Sequence, residues 1–326
     1  MKVDVQCHVF PQAYGDFFVQ HAERPKSMRV ENRFVFDFDG YQTLVMADPV
    51  YDVKAVLAAM DKAKIDLSLI TCNVPEPGML PEEYAVKAAR IANDEVAEII
   101  SRNPGRFAGI AFLPWNAPTE ALEELDRIQK MGFKSVMLFS HIGEKQVDDP
   151  SVLPIYAKIE QLGIPLTIHP SIPLWSHAMG DYGMVSAVGL VMDTSLALIR
   201  LVRSGILEKY PKMKVVMPHA GGVVPYLDGR LSYMPPMARM APPPINKMTV
   251  PEHLQKGNIY YDTSNVSANV LGYAKNYLGT DKLMFGSDYP FVEPDVLSDL
   301  IETVFDKEEQ ESIFWKKANE IYQLNL

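Results

Sequence analysis

The sequence predicts a single (β/α)8 barrel spanning residues 1–326. Three observations support this. Short β-branched runs alternate with amphipathic stretches of helical spacing roughly eight times along the chain. Eight such units in about 300 residues suit closure into a ring rather than an open sheet. Several of the runs also end in His or Asp, and such barrels keep their chemistry at the C-terminal ends of their strands.

Taken in order, the first strand is read from Val3, Val5 and Cys7 alternating with Asp4, Gln6 and His8, a period of two. The segment 11–50 that follows has no clean period and holds Arg24, Lys26, Arg29 and Arg33 among many aromatics. A loop this long after a barrel strand is usually functional, so a lid is expected, with a small hairpin subdomain packed on the barrel as the alternative. A predicted helix Val53–Ala63 leads to a strand at Leu67–Cys72, and a helix Pro81–Arg102 to a strand at Phe107–Leu113. Asn103-Pro104-Gly105 stops the second of these helices. The helix Thr119–Met131 ends at Gly132 before a strand at Ser135–Phe139. Leu153–Leu162 ends at Gly163 before a strand at Pro165–Ile168. The long apolar stretch 185–202 carries Asp193 and Arg200, which marks a buried helix rather than a membrane span. Strands at Lys214–Met217, Asn258–Tyr261 and Lys282–Phe285 complete the set, with a Pro-rich excursion from Pro235 to Pro244 between the first two.

Composition narrows the function. With 48% hydrophobic and 22% charged residues the chain can bury a large core and is neither disordered nor a membrane protein. A net charge of -10 argues against nucleic acid and membrane as partners. Only two cysteines, Cys7 and Cys72, occur, which fits a reducing, cytoplasmic setting. The polar N-terminus is no signal peptide.

The strand ends carry the chemistry. They read Gln6-Cys7-His8, Ile168-His169-Pro170, Pro218-His219-Ala220-Gly221-Gly222 and Gly286-Ser287-Asp288-Tyr289-Pro290. Three of the seven histidines fall at such ends, and the last strand adds an Asp. A lone strand-end His is usually an ordinary hydrogen-bonded residue; three at matched ends favour a metal site. Gln6 and His8 differ by two and so point to one side. Imidazole and carboxylate ligands suit zinc, manganese or iron. The candidate ligands are therefore His8, His169, Asp288 and Gln6. Asp4 shares their parity and is read as a buried structural carboxylate. His141 and His177 are read as possible pocket residues, His21 and His253 as surface.

These motifs resemble the amidohydrolase superfamily, in the branch of aminocarboxymuconate-semialdehyde decarboxylase and the hydroxybenzoate decarboxylases. Asn103-Pro104-Gly105-Arg106-Phe107 and Leu207-Glu208-Lys209-Tyr210-Pro211-Lys212 fit the same pattern, so the resemblance spans nearly the whole chain. It implies a TIM barrel of the metal-dependent hydrolase type, one divalent metal (zinc or manganese) and a homodimer. It assigns His8, His169 and Asp288 as ligands, His219 to the metal-bound water or substrate, and Arg230 to a substrate carboxylate in a neighbouring subunit's site. Gln6 departs from the family, which places His or Glu there. A neutral ligand leaves the dication with a formal charge of +1 and weakens its binding.

Three functions compete. The first is nonoxidative decarboxylation of a small aromatic or unsaturated carboxylic acid, with Asp288 delivering the proton, His219 orienting water or polarising the substrate, Arg230 clamping a carboxylate, and Trp175, Phe139 and Phe291 as apolar walls. The second is metal-dependent hydrolysis or hydration of a lactone, amide or activated double bond, with Asp288 as general base. The third is a noncatalytic binding barrel.

Overall fold

β1 (Val3–His8) is buried along its whole length, as expected of a barrel strand covered on both faces. The computed structural model describes residues 1–47, 51–233, 244–265 and 267–326. After β1 the chain leaves the barrel through α1 (Gln12–His21) and an antiparallel sheet of β2 (Lys26–Val30), β3 (Arg33–Phe38) and β4 (Gln42–Met46). Strand periodicity decides what this insertion does. Phe34, Phe36 and Phe38 alternate inward and are buried, whereas Met28, Val30 and Val45 lie exposed on the sheet. The inward rings pack on Phe10, with centroids 5.9 Å away for Phe34 and 5.7 Å for Phe36. The segment is thus the small packed subdomain rather than a bare lid loop; residues 48–50 lie outside the described residues.

The barrel continues with β5 (Leu67–Thr71), β6 (Phe107–Ala111), β7 (Ser135–Phe139), a two-residue hairpin of β8 (His141–Ile142) and β9 (Lys145–Gln146), then β10 (Leu166–His169), β11 (Val215–Met217), β12 (Ile259–Asp262) and β13 (Leu283–Met284). The eight-stranded sheet runs β1-β5-β6-β7-β10-β11-β12-β13 and its pairs are parallel. It closes on itself through Val5 N–H to Phe285 O (2.9 Å), Asp288 N–H to Gln6 O (2.8 Å) and His8 N–H to Tyr289 O (2.8 Å). The last strand is shorter than its sequence suggests. Gly286 follows at a close approach: a Cβ there would stand 2.8 Å from the Asp262 Cβ.

The crossover helices α2 (Val53–Ala63), α3 (Glu82–Arg102), α4 (Pro118–Met131), α5 (Leu153–Leu162) and α6 (Leu190–Arg203) each bury one face. Gly132 and Gly163 end α4 and α5 in the left-handed conformation that a side chain would resist. The segment Val185–Arg203 is long and apolar enough to cross a membrane by composition. Here it is the crossover between β10 and β11, with Asp193 buried and Arg200 paired to Asp148 at 2.7 Å. The Pro-rich excursion falls almost wholly outside the described residues.

Candidate metal centre

Three strand ends converge at the C-terminal mouth of the barrel. His8 ends β1, His169 ends β10, and Asp288 follows β13. His8 Nε2 lies 2.9 Å from Asp288 Oδ1 and 3.3 Å from His169 Nε2. One ligand atom from each of the three lies within 4.8 Å of the others. Gln6 reaches the same point, as its parity with His8 requires, and its Nε2 donates to Asp288 Oδ1 at 2.9 Å.

The protonation states suit a cation. His169 Nδ1 faces Pro170 O at 2.8 Å and donates to it, which leaves the Nε2 lone pair turned inward. Burial, with the charge of His8 second, lowers the His169 pKa to about 3, so the ring is neutral near pH 7. Burial alone would raise Asp288, but the histidines His219 and His8 outweigh it and hold the carboxyl well below its usual range. Two imidazoles and an ionised carboxylate are a common donor set for a divalent cation. The two donor spacings that involve His8 fit as well. Ligand bonds of about 2.1 Å meeting at right to tetrahedral angles put donor atoms roughly 3.0–3.4 Å apart, against the observed 2.9 and 3.3 Å.

A second carboxylate fixes the site from behind. Asp4 is 1% exposed and accepts from Gln6 N (3.1 Å), Ser287 N (2.9 Å) and Ser287 Oγ (2.5 Å). It therefore ties β1 to the residues just before Asp288, the structural role its parity suggested. Burial pushes its pKa up to about 7 against the pull of the Ser287 hydrogen bonds.

The other candidates lie at varying distances. His219 Nε2 is 3.9 Å from Asp288 Oδ2, too long for a hydrogen bond but within charge reach. Burial disfavours its charged form, yet Asp288 prevails and its pKa is raised. Phe291 is 57% exposed with its ring 6.0 Å from that of His8, so it borders the mouth. Phe139 packs 5.5 Å from His169 but is core. Trp175 is partly buried. Arg230 is exposed on the short helix Asp228–Ser232, with no hydrogen-bond or ion-pair partner among the described residues.

The remaining histidines include one correction. His141 is buried with Nδ1 and Nε2 facing Gly143 O and Ile172 O, at 2.7 and 3.0 Å. His177 is exposed and His21 stacks on Tyr84 at 4.4 Å. His253, expected at the surface, is buried on the inner face of its helix, 3.5 Å from Glu208. A seven-residue helix, Val250–Lys256, is too short for its buried face to show as a period. Sequence reasoning also missed Asp262, which ends β12 and accepts the His219 N–H at 2.9 Å. The strand-end rule that found His8 applied equally to Tyr261-Asp262-Thr263-Ser264.

Comparison with known proteins gives the family and the fold. Residues 3–324 match the amidohydrolase family. The chain is 25% identical to the 2-amino-3-carboxymuconate-6-semialdehyde decarboxylase of Dictyostelium discoideum over 308 residues, 89% of this chain and 82% of that one. It superposes on 5-carboxyvanillate decarboxylase from Sphingomonas paucimobilis with a TM-score of 0.86 at 26% identity, covering 99% and 98% of the two chains. The fold is also shared with a dihydroxybenzoic acid decarboxylase from Polaromonas sp. JS666, solved with bound manganese and the inhibitor 2-nitroresorcinol. That match has a TM-score of 0.80 at 22% identity and covers 100% and 97%.

Proposed function

The chain belongs to the amidohydrolase family, and from that premise we propose that it is a metal-dependent nonoxidative decarboxylase of a small aromatic or unsaturated carboxylic acid. The observation that carries this is the convergence of His8, His169 and Asp288 at one point of the barrel mouth. The relatives described above are decarboxylases, which favours carbon–carbon cleavage over the hydrolase or hydratase alternative. His8, His169 and Asp288 would hold one divalent ion, with Gln6 beside them. This donor set suits zinc or manganese, and the manganese-bound relative supports manganese. The bound ion supplies a Lewis acid that orients the substrate's carboxylate or a neighbouring oxygen.

This chain's own residues do the rest. The Gln6 amide engages Asp288 Oδ1, which leaves Oδ2 as the oxygen that would take a proton from His219 and pass it to the carbon losing CO2. His219 Nε2 faces that oxygen and is placed to resupply it. Phe291 offers an apolar wall at the mouth, and Trp175 a second. The balance is one substrate carboxylate and one proton in, one CO2 and one C–H bond out. A screen of carboxylated phenols for CO2 release, beside a screen of lactones for hydrolysis, tests the reading. Release only from the phenols supports it; lactone cleavage without CO2 release would replace it.

The working unit is a homodimer in which Arg230 reaches the neighbouring copy's site. Val188, Met192 and Leu196, spaced four apart along one helix, are 49%, 38% and 41% exposed, and Tyr226 and Tyr233 beside Arg230 are each 66% exposed. Such an apolar face favours a second copy. Arg230→Ala should raise KM about tenfold or more, the worth of a charged hydrogen bond, with metal content unchanged. Light scattering that finds an active monomer at assay concentration would refute the intersubunit role. Buried, unpaired Cys7 and Cys72 are consistent with the cytoplasmic setting we infer.

A further inference from the structure

The approach to His219 uses a backbone conformation that most residues avoid. His219 (φ 58°), Ala220 (φ 54°), Gly221 (φ 87°) and Gly222 (φ 62°) all have positive φ, one after another. Two of these four carry a Cβ, which crowds the following carbonyl in this region. Such a run persists only where its surroundings over-determine it.

They do so at both ends. At the start, the His219 N–H donates to Asp262 Oδ1 at 2.9 Å, with Ser264 Oγ at 3.3 Å. That carboxylate oxygen also accepts from Ser264 N (3.0 Å) and Ser264 Oγ (2.6 Å), so the acceptor is itself fixed. At the exit, the Val223 N–H donates to Ser195 Oγ at 3.0 Å, and that hydroxyl donates in turn to Val191 O at 2.7 Å. Gly222 is needed there, because a Cβ would stand 2.5 Å from Ser195 Oγ. Asp262 and Ser195 are each 2% exposed, so neither serves solvation.

We propose that Asp262 and Ser195 are positioning residues that clamp the left-handed turn 219–222 from its two ends and so hold the His219 imidazole facing Asp288. The direction of the Cα–Cβ bond at residue 219 follows from its backbone angles, so a relaxed turn would redirect the ring. The proposal rests on the decarboxylase reading, in which His219 serves Asp288.

The test combines kinetics with hydrogen exchange. Ser195→Ala and Asp262→Ala should each lower kcat about 10- to 100-fold, the effect of a small misplacement, with KM and metal content little changed. Asp262→Asn keeps an oxygen acceptor and should recover most of the rate. In a His219→Ala background the same substitutions should cost nothing further, because they act through the missing ring. Amide exchange over residues 219–223 should quicken in Ser195→Ala while the barrel strands stay protected, and this arm needs no turnover. Losses that persist in full in the His219→Ala background, or unchanged exchange at 219–223, would overturn the clamp. Asp262→Asn as impaired as Asp262→Ala would remove Asp262 from it. If Asp262→Ala does not fold, Ser195→Ala decides. A wild type that releases no CO2 sinks the decarboxylase reading instead, and the exchange arm still judges the clamp.

Discussion

His169→Ala should purify with little metal and lose at least about 1,000-fold in kcat, because in the proposed site it would help hold the ion that supplies the Lewis-acid chemistry. Replacing a mere hydrogen-bond partner of a metal ligand typically costs 10–100-fold in affinity, so removing a ligand should exceed about 100-fold. The His169 ring is 4% exposed and lies edge-on to both His8 and Phe139, at 4.9 and 5.5 Å, so its loss also opens space. Circular dichroism and the melting temperature of the stripped wild type are therefore the proper controls. Elemental analysis after dialysis against manganese should give near-stoichiometric metal for the wild type and a small fraction for the variant. Full retention in a folded variant would remove His169 from the site.

Gln6→Glu should move two measurements in opposite directions. In the metal-free protein the Gln6 amide donates to Asp288 Oδ1 at 2.9 Å. An introduced carboxylate loses that hydrogen bond and sets like charge against like charge at the same distance, so the apo melting temperature should fall. With a dication present the sign reverses. Two unit charges about 4 Å apart interact by roughly 4 kcal/mol at an effective dielectric of about 20. A third of that is enough to tighten metal binding about tenfold, since each 1.4 kcal/mol is one decade. The added negative charge also lowers the ion's Lewis acidity, so turnover should change even at saturating metal. Calorimetric titration of manganese into both stripped proteins, beside thermal melts with and without it, checks both directions. Equal affinities in two folded proteins would place Gln6 outside the ion's electrostatic reach.

Much of the molecule was legible in the chain because its signals are local. The alternation of Val3, Val5 and Cys7 with Gln6 and His8 places two polar side chains on one side of β1, and both meet Asp288. Gly132 and Gly163 mark helix ends because only glycine takes their backbone angles without strain. What was not legible depends on contacts distant in sequence. Ser195 sits in an apolar run, and nothing local ties it to Val223 twenty-eight residues on. His253 occupies a helix too short to display its buried face. The insertion 11–50 lacked a clean period because a helix and three short strands share it, so the aromatic packing of Phe34 and Phe36 under Phe10 emerged only in three dimensions.

The central claim, carbon–carbon cleavage dependent on the His8, His169 and Asp288 site, is tested most directly by running the reaction in D2O with manganese and a carboxylated phenol. The account predicts one CO2 per substrate consumed and one deuterium on the ring carbon that bore the carboxylate, with the reaction abolished by a chelator and restored by added manganese. CO2 release that survives complete metal removal, or substrate consumed with no CO2 and no deuterium at that carbon, would contradict it.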